Sequence, residues 1–195
     1  MKTWLIASLA GALCLLGGAA SAQNVNVRGT ISAFDGKMIS VKARDGRDVQ
    51  IDVPENAPVA ITKPFTLADL KPGMVLGVTT VKKGDQLIAI DVRPIPPAVP
   101  LGLSPYDLQP GSTMTNARLE GSVQSSAGQE ITLDFKSGTA KVLVPQGTPM
   151  SQAVPGSRAE LEPGRAVYVA ARPAEGGKLT AVRIQVGKDG VNPTQ

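Results

Sequence analysis

The 195 residues contain no histidine and a single cysteine, with 20 basic against 16 acidic side chains and a formal charge of +4. Without histidine the chain lacks the commonest general base and metal ligand, and with only Cys14 it can form no internal disulfide and no multi-thiolate zinc site. Acidic and basic residues interleave, ten basic with eight acidic over residues 24–93 and nine with seven over 117–195, so no basic stripe is set aside to track a phosphate backbone.

Lys2, the apolar run of residues 4–16 and Ala20-Ser21-Ala22 form the pattern of a secretory signal cleaved before Gln23. The run is shorter than the roughly 20 residues a spanning helix needs, and no later stretch approaches that length. A periplasmic or secreted mature chain with no transmembrane segment is expected. Cys14 follows Leu13, where lipoprotein cleavage wants a small residue, so no lipid anchor is expected.

The mature sequence repeats itself, and a repeat sets the architecture before any element is assigned. Gly29, Gly36 and Gly46 return as Gly121, Gly128 and Gly138; Val53-Pro54 as Val144-Pro145; Leu70, Pro72 and Gly73 as Leu161, Pro163 and Gly164; Gly84, Leu87 and Ala89 as Gly176, Leu179 and Ala181. Within each copy the apolar period is two, the signature of half-buried strands. Ile39, Val41 and Ala43 alternate with polar residues, as do Ile131, Leu133 and Phe135; Val49, Ile51 and Val53 are answered by Ala140, Val142 and Val144. Ile88, Ile90 and Val92, and then Val182, Ile184 and Val186, close the copies. Asp35-Gly36 and Asp45-Gly46 fall where hairpins need a positive φ.

Each copy therefore reads as three hairpin-linked strands, an irregular segment and two more strands. In copy one the irregular segment carries one helical turn behind Thr66, ended by Lys71-Pro72-Gly73. The expected fold is all-β: two tandem OB-like five-stranded small barrels, residues 23–93 and 117–187, with an open sandwich as the alternative. Residues 94–116 hold six prolines and are expected to be an extended connector with no strand; residues 188–195 are expected to be a tail.

The motifs Gly29-Thr30-Ile31, Asp69-Leu70-Lys71-Pro72-Gly73 and Leu87-Ile88-Ala89-Ile90-Asp91-Val92, with the turn glycines, resemble those of bacterial secreted proteins of unknown function built from OB-like five-stranded repeats. The resemblance covers both copies. Residues 104–117 and 186–191 look like the signature of a narrower subgroup, some of whose members carry the label of a metal-transporter permease. That label implies several spanning helices, which this chain does not offer. The resemblance brings no catalytic residues.

The connector carries the most distinctive polar chemistry: Tyr106, Asp107, Ser112, Thr113, Thr115 and Asn116, a candidate interaction surface on a loop between rigid units. The alternative is that Ser112 to Asn116 bond local backbone and open the next strand while Tyr106 packs on a barrel. Nucleic-acid binding is not expected, because OB domains that bind single strands stack bases on aromatics. The mature chain has only Phe34, Phe65, Tyr106, Phe135 and Tyr168, and Phe135 sits on the apolar face. The acids mostly occupy turns or wet strand faces, no D-x-[DN]-x-[DN]-G loop appears, and Ser112 and Ser137 have no spacing that suggests a Ser-Lys pair. The expectation is a non-enzymatic binding module with no cofactor and no metal, facing an envelope protein or a small ligand. The alternatives are a small-molecule or metal-ion accessory of the envelope, or a hydrolase.

Overall fold

A computed structural model of the chain describes residues 24–188 and 190–194; the expected signal segment, 1–22, lies outside the described residues. Copy one opens with β1 (Val25–Phe34), β2 (Met38–Ala43) and β3 (Asp48–Asp52). The first turn forms because Asp35 Oδ1 accepts the backbone N–H groups of Lys37 and Met38, at 2.8 and 2.7 Å, while Gly36 takes φ +94°. After β4 (Val59–Pro64) comes a 3₁₀ turn, Leu67–Asp69. Both the N–H and the hydroxyl of Thr66 donate to Asp69 Oδ2, at 2.9 and 2.7 Å. The copy ends with β5 (Val75–Lys83) and β6 (Gln86–Pro94). Next come β7 (Gly102–Pro105), β8 (Thr113–Ser125), β9 (Gly128–Phe135), β10 (Gly138–Pro145) and β11 (Ser151–Pro155). A 3₁₀ turn at Arg158–Glu160, β12 (Ala166–Pro173) and β13 (Leu179–Gly187) complete the chain.

Three of these strands depart from the sequence expectation. β4 and β11 occupy the segments read as irregular, and β7 lies in the connector, where Gly102–Pro105 pairs with the start of β8. β8 begins at Thr113, so 113–116 belongs to a strand. Proline flanks each of these short strands (Pro58 and Pro64, Pro149 and Pro155, Pro100 and Pro105). A proline that signals against an interior strand is compatible with a strand end, where its missing N–H breaks no ladder bond.

The fold is all-β, and it contains closed five-stranded barrels. In one sheet β5, β6, β10, β9 and β8 form a ring closed by the β5–β8 pairing. In the other, β1, β2, β3, β13 and β12 form a ring whose closure is the Thr180↔Asp52 pair of β13 and β3. Each ring therefore takes its first three strands from one copy and its last two from the other. The copies do not seal their own interiors, as the repeat alone would suggest; they exchange their closing hairpins. Along the chain, the β5–β10 barrel is continuous and is inserted into the β1–β3/β12–β13 barrel.

The exchange is hinged on β4 and β11. These strands occupy equivalent places in the two copies and pair antiparallel with each other, with Thr62 opposite Ala153 and Ser151 opposite Pro64. In the repeat alignment Thr62 is the counterpart of Ala153, so the local two-fold passes between them. The same symmetry relates the parallel pair Ile184↔Val59 to the bridge Val92↔Met150.

Two apolar clusters record the exchange. One joins Ile31, Ile39, Val41 and Ile51 of copy one to Val167, Val169, Ile184 and Val186 of copy two. The other joins Leu76, Val78 and Val92 of copy one to Leu119, Ile131, Leu133, Phe135 and Val142 of copy two. Full burial of each Ile or Leu side chain contributes about 1.5–3 kcal/mol, and each cluster draws its members from both copies. The alternation read for β2, β3, β9 and β10 holds. In β6 and β13 it breaks, because register shifts at Thr79/Thr80 against β6 and at Ala170/Ala171 against β13 move the inward face by one residue. Ala89 and Val92 are buried in β6 while Ile88 and Ile90 are half-buried, and Ala181, not Val182, faces in from β13.

Exchange has a direct consequence for fragments. Residues 65–149 expressed alone are expected to melt cooperatively as a monomer. Residues 24–98, cut at the repeat boundary, are expected to be unfolded or to dimerise by trading their 75–94 hairpins. Circular dichroism with size-exclusion chromatography checks this, and a folded 24–98 monomer contradicts the exchanged topology.

Candidate functional site

The connector residues converge on a polar seam between the two barrels. Arg28 projects from β1, where it is ringed by partners. Its Nη1 and Nη2 donate to the two carboxylate oxygens of Asp107 at 3.1 and 2.9 Å, Nη2 also donates to Tyr106 Oη at 2.9 Å, and Nε donates to the carbonyl of Thr194 at 3.0 Å. Its guanidinium lies 5.5 and 5.2 Å from the ring centres of Tyr106 and Tyr168, a cation–π sandwich. Asn26 donates to Asp107 Oδ2 at 3.0 Å and accepts from Tyr168 Oη at 2.8 Å. Burial opposes ionisation of Asp107, but the hydrogen bonds from Arg28 and Asn26 outweigh it and hold the carboxyl below its usual value of 3.8.

On the other barrel the seam rests on a buried ion pair of β6, Asp91 with Arg93 Nη1. Thr194 Oγ1 donates to Asp91 Oδ1 at 2.7 Å, so the C-terminal segment ties Arg28 of one barrel to Asp91 of the other. Arg93 crosses Gly77 and reaches Met114 Sδ at 3.2 Å; its Nε is buried without a hydrogen-bond partner among the described residues. Burial pushes the Asp91 carboxyl up, against the pull of Arg93, the Thr194 hydroxyl and Arg28. The same burial lowers the Arg93 guanidinium, against the pull of Asp91.

The remaining connector residues are bound locally. Ser112 is buried, and its hydroxyl donates within reach of the carbonyls of Tyr106 and Gln109, at 2.9 and 2.8 Å. Thr115 is buried between Val78 and Leu103 in the sheet. Thr113 pairs across to Thr80 and Pro105, and Asn116 Nδ2 donates to the Pro100 carbonyl at 3.4 Å. Of the six, only Asp107 is exposed. The structure brings Tyr106 and Asp107 together on Arg28 and places the other four in the strand start and its turn.

A cleft lies elsewhere, at one end of the β1–β3/β12–β13 barrel, with a volume of about 830 Å³. Its walls are Gly29 and Thr30 of β1, Lys42 to Arg44 and Gly46 around the second hairpin, Gly164 to Ala166 before β12, and Gly187, Lys188 and Gly190 to Asn192 of the C-terminal segment. Five glycines leave it wide. At Gly29 a Cβ would sit 2.1 Å from the Lys42 carbonyl oxygen, and at Gly187 2.7 Å from that of Val191, so β1 approaches β2, and β13 the C-terminal segment, as only glycine allows. Four cations line it: Lys42, Arg44, Arg165 and Lys188. Arg165 is neutralised by Glu160 and Glu162, at 2.8 and 2.6 Å, and Lys188 stands 3.9 Å from Glu160. Lys42 and Arg44 are exposed, and among the described residues neither has a carboxylate within 4 Å. Thr30 lies opposite Lys42 in the ladder.

No family model, curated protein or solved structure matches the chain. Sequence reading missed the cleft because its walls come from both ends of the chain, and it missed Arg28 because one arginine on a strand carries no signal of its partners. The only sequence trace of the cleft was the density of glycine around residues 29, 46, 164, 187 and 190.

Two outcomes are expected at the seam. Asp91→Ala, which strands Arg93 in the interior, lowers stability by about 3–5 kcal/mol, and adding Arg93→Met recovers most of the loss; denaturant unfolding of the single and double variants measures both. Asp107→Asn lowers stability by about 1 kcal/mol at neutral pH. Because folding depresses the Asp107 carboxyl, its contribution is complete above the unfolded value and is lost as pH falls through the lower folded one. The melting temperatures of wild type and Asp107→Asn therefore differ by a constant amount above about pH 5 and converge below pH 4.

Proposed function

We propose that the protein is a non-enzymatic binding module of the bacterial periplasm or cell exterior, and that the cleft at the end of the β1–β3/β12–β13 barrel is its ligand seat. The observation that carries this reading is the cleft itself. A volume of about 830 Å³ falls within the range of small-molecule sites, roughly 300–1,000 Å³. Its described lining offers cations, backbone, the Thr30 hydroxyl and the Asn192 side-chain amide, groups that hold a ligand in place. The signal pattern at the N-terminus supports export. The connector, in this reading, is scaffold: Tyr106 and Asp107 hold the barrels in register through Arg28, so the cleft walls contributed by the C-terminal segment stay in place.

A thermal-shift screen of the mature chain against metals, sugars and anions tests the reading. A ligand at about 100 times its Kd adds about 2.7 kcal/mol, an expected rise of about 5–10 °C for a chain of this size. Thr30→Tyr, which narrows the cleft from an exposed position, is expected to abolish that rise. Turnover of the wild type on an ester or glycoside panel, or a rise that Thr30→Tyr leaves intact, contradicts the proposal.

A further inference from the structure

We infer that the cleft takes a small ligand bearing an oxyanionic group, a phosphate or carboxylate on a body of about sugar size, held by Lys42 and Arg44. The inference rests on the cleft being the ligand seat. Its first support is the state of the cations. Arg165 and Lys188 on one wall are occupied by Glu160 and Glu162, whereas Lys42 and Arg44 on the facing hairpin are exposed and unpaired among the described residues. Asp48 is opposite Lys42 in the β2–β3 ladder without closing an ion pair. Charge of one sign inside a concave wall focuses the potential on whatever enters, and a guanidinium is suited to bind an oxyanion through two parallel hydrogen bonds.

The second support comes from the repeat. Every cleft position has a counterpart at the corresponding end of the other barrel, built by the same strands of the opposite copy. There Lys42 is replaced by Asp134, Arg165 by Met74 and Lys188 by Pro96, Arg44 keeps a cation as Lys136, and Arg118, opposite Asp134, stands where Thr30 is opposite Lys42. The barrel plan alone therefore does not demand basic residues at this place. One barrel carries four cations at its cleft; at the same end the other has Lys136 and Arg118 beside an acid, a thioether and a proline, so the denser basic lining is particular to this cleft.

The experiment titrates the full mature chain, followed by amide chemical shifts, with glucose 6-phosphate, glucuronate and glucose in low-salt buffer, and with inorganic phosphate alone. The phosphate and carboxylate sugars separate the two oxyanion chemistries, and the free ion tests whether the sugar body contributes. Perturbations are expected at the Gly46, Gly164 and Gly190 amides with at least one charged probe and at least tenfold weaker with glucose. Lys42→Gln with Arg44→Gln is expected to weaken that binding tenfold or more while the melting temperature stays within about 2 °C. Both substituted side chains are exposed and outside the seam, so folding is preserved. Equal binding of glucose and the charged sugars at the same amides, or binding unchanged in the double variant, overturns the oxyanion assignment and leaves the cleft as ligand seat. Perturbations from these probes that all lie outside the cleft overturn both.

Discussion

The antiparallel pair of β4 and β11 is the contact on which the rest of the structure depends. Each strand leaves one barrel after the third strand of its copy and delivers the chain to the other, and the two meet around Thr62 and Ala153. Because equivalent strands pair about a local two-fold, neither copy can close its own ring while the pair is intact. Each core is then an interface between copies, and its Ile, Leu and Val side chains are buried only when both halves of the chain are in place. The architecture is that of a hairpin-exchanged dimer with its two protomers joined in one chain.

A joined dimer needs its two barrels held in a fixed relation, and the polar seam supplies that hold. Arg28 uses its donors on Asp107, Tyr106 and the Thr194 carbonyl, while the Thr194 hydroxyl reaches the buried Asp91 beside Arg93. The network spans the first strand, the connector and the last residues of the chain. The same C-terminal segment forms a wall of the cleft, so the contacts that lock the barrels also shape the proposed ligand seat. Polar groups at such a place specify geometry more than they add net stability, since burial opposes the charge on both Asp91 and Arg93.

Near-identical strand plans also allow the two copies to differ where difference matters. At the cleft the first barrel presents Lys42 and Arg165, whereas the second has Asp134 and Met74 in their places. Val123 is exposed, because the β8–β9 hairpin runs on past Ser122 opposite Ile131 to Ser125 opposite Gly128. The β1–β2 hairpin stops at the equivalent pair, Phe34 opposite Ile39, and Leu119 opposite Leu133 holds the buried place that Ile31 has opposite Val41. One barrel has the basic cleft rim; the other has the longer first hairpin and meets the connector.

The strands, their inward faces in β2, β3, β9 and β10, the turn glycines and the capped turn at Thr66 were legible in the sequence, because each follows from neighbours along the chain: alternation, an Asp-Gly turn, a Thr with an Asp three residues on. The bulged faces of β6 and β13 were not, because a register shift depends on the partner strand. Nor were β4, β7 and β11, whose flanking prolines speak against strands until it is known that they lie at strand ends. The local pattern determined a doubled five-strand, all-β plan. Which copy closes which barrel, whether Asp107 is free or fastened to Arg28, and that Lys42 and Lys188 line one cleft were decided only by tertiary structure, since each joins segments tens of residues or more apart whose pairing leaves no periodic mark in either segment.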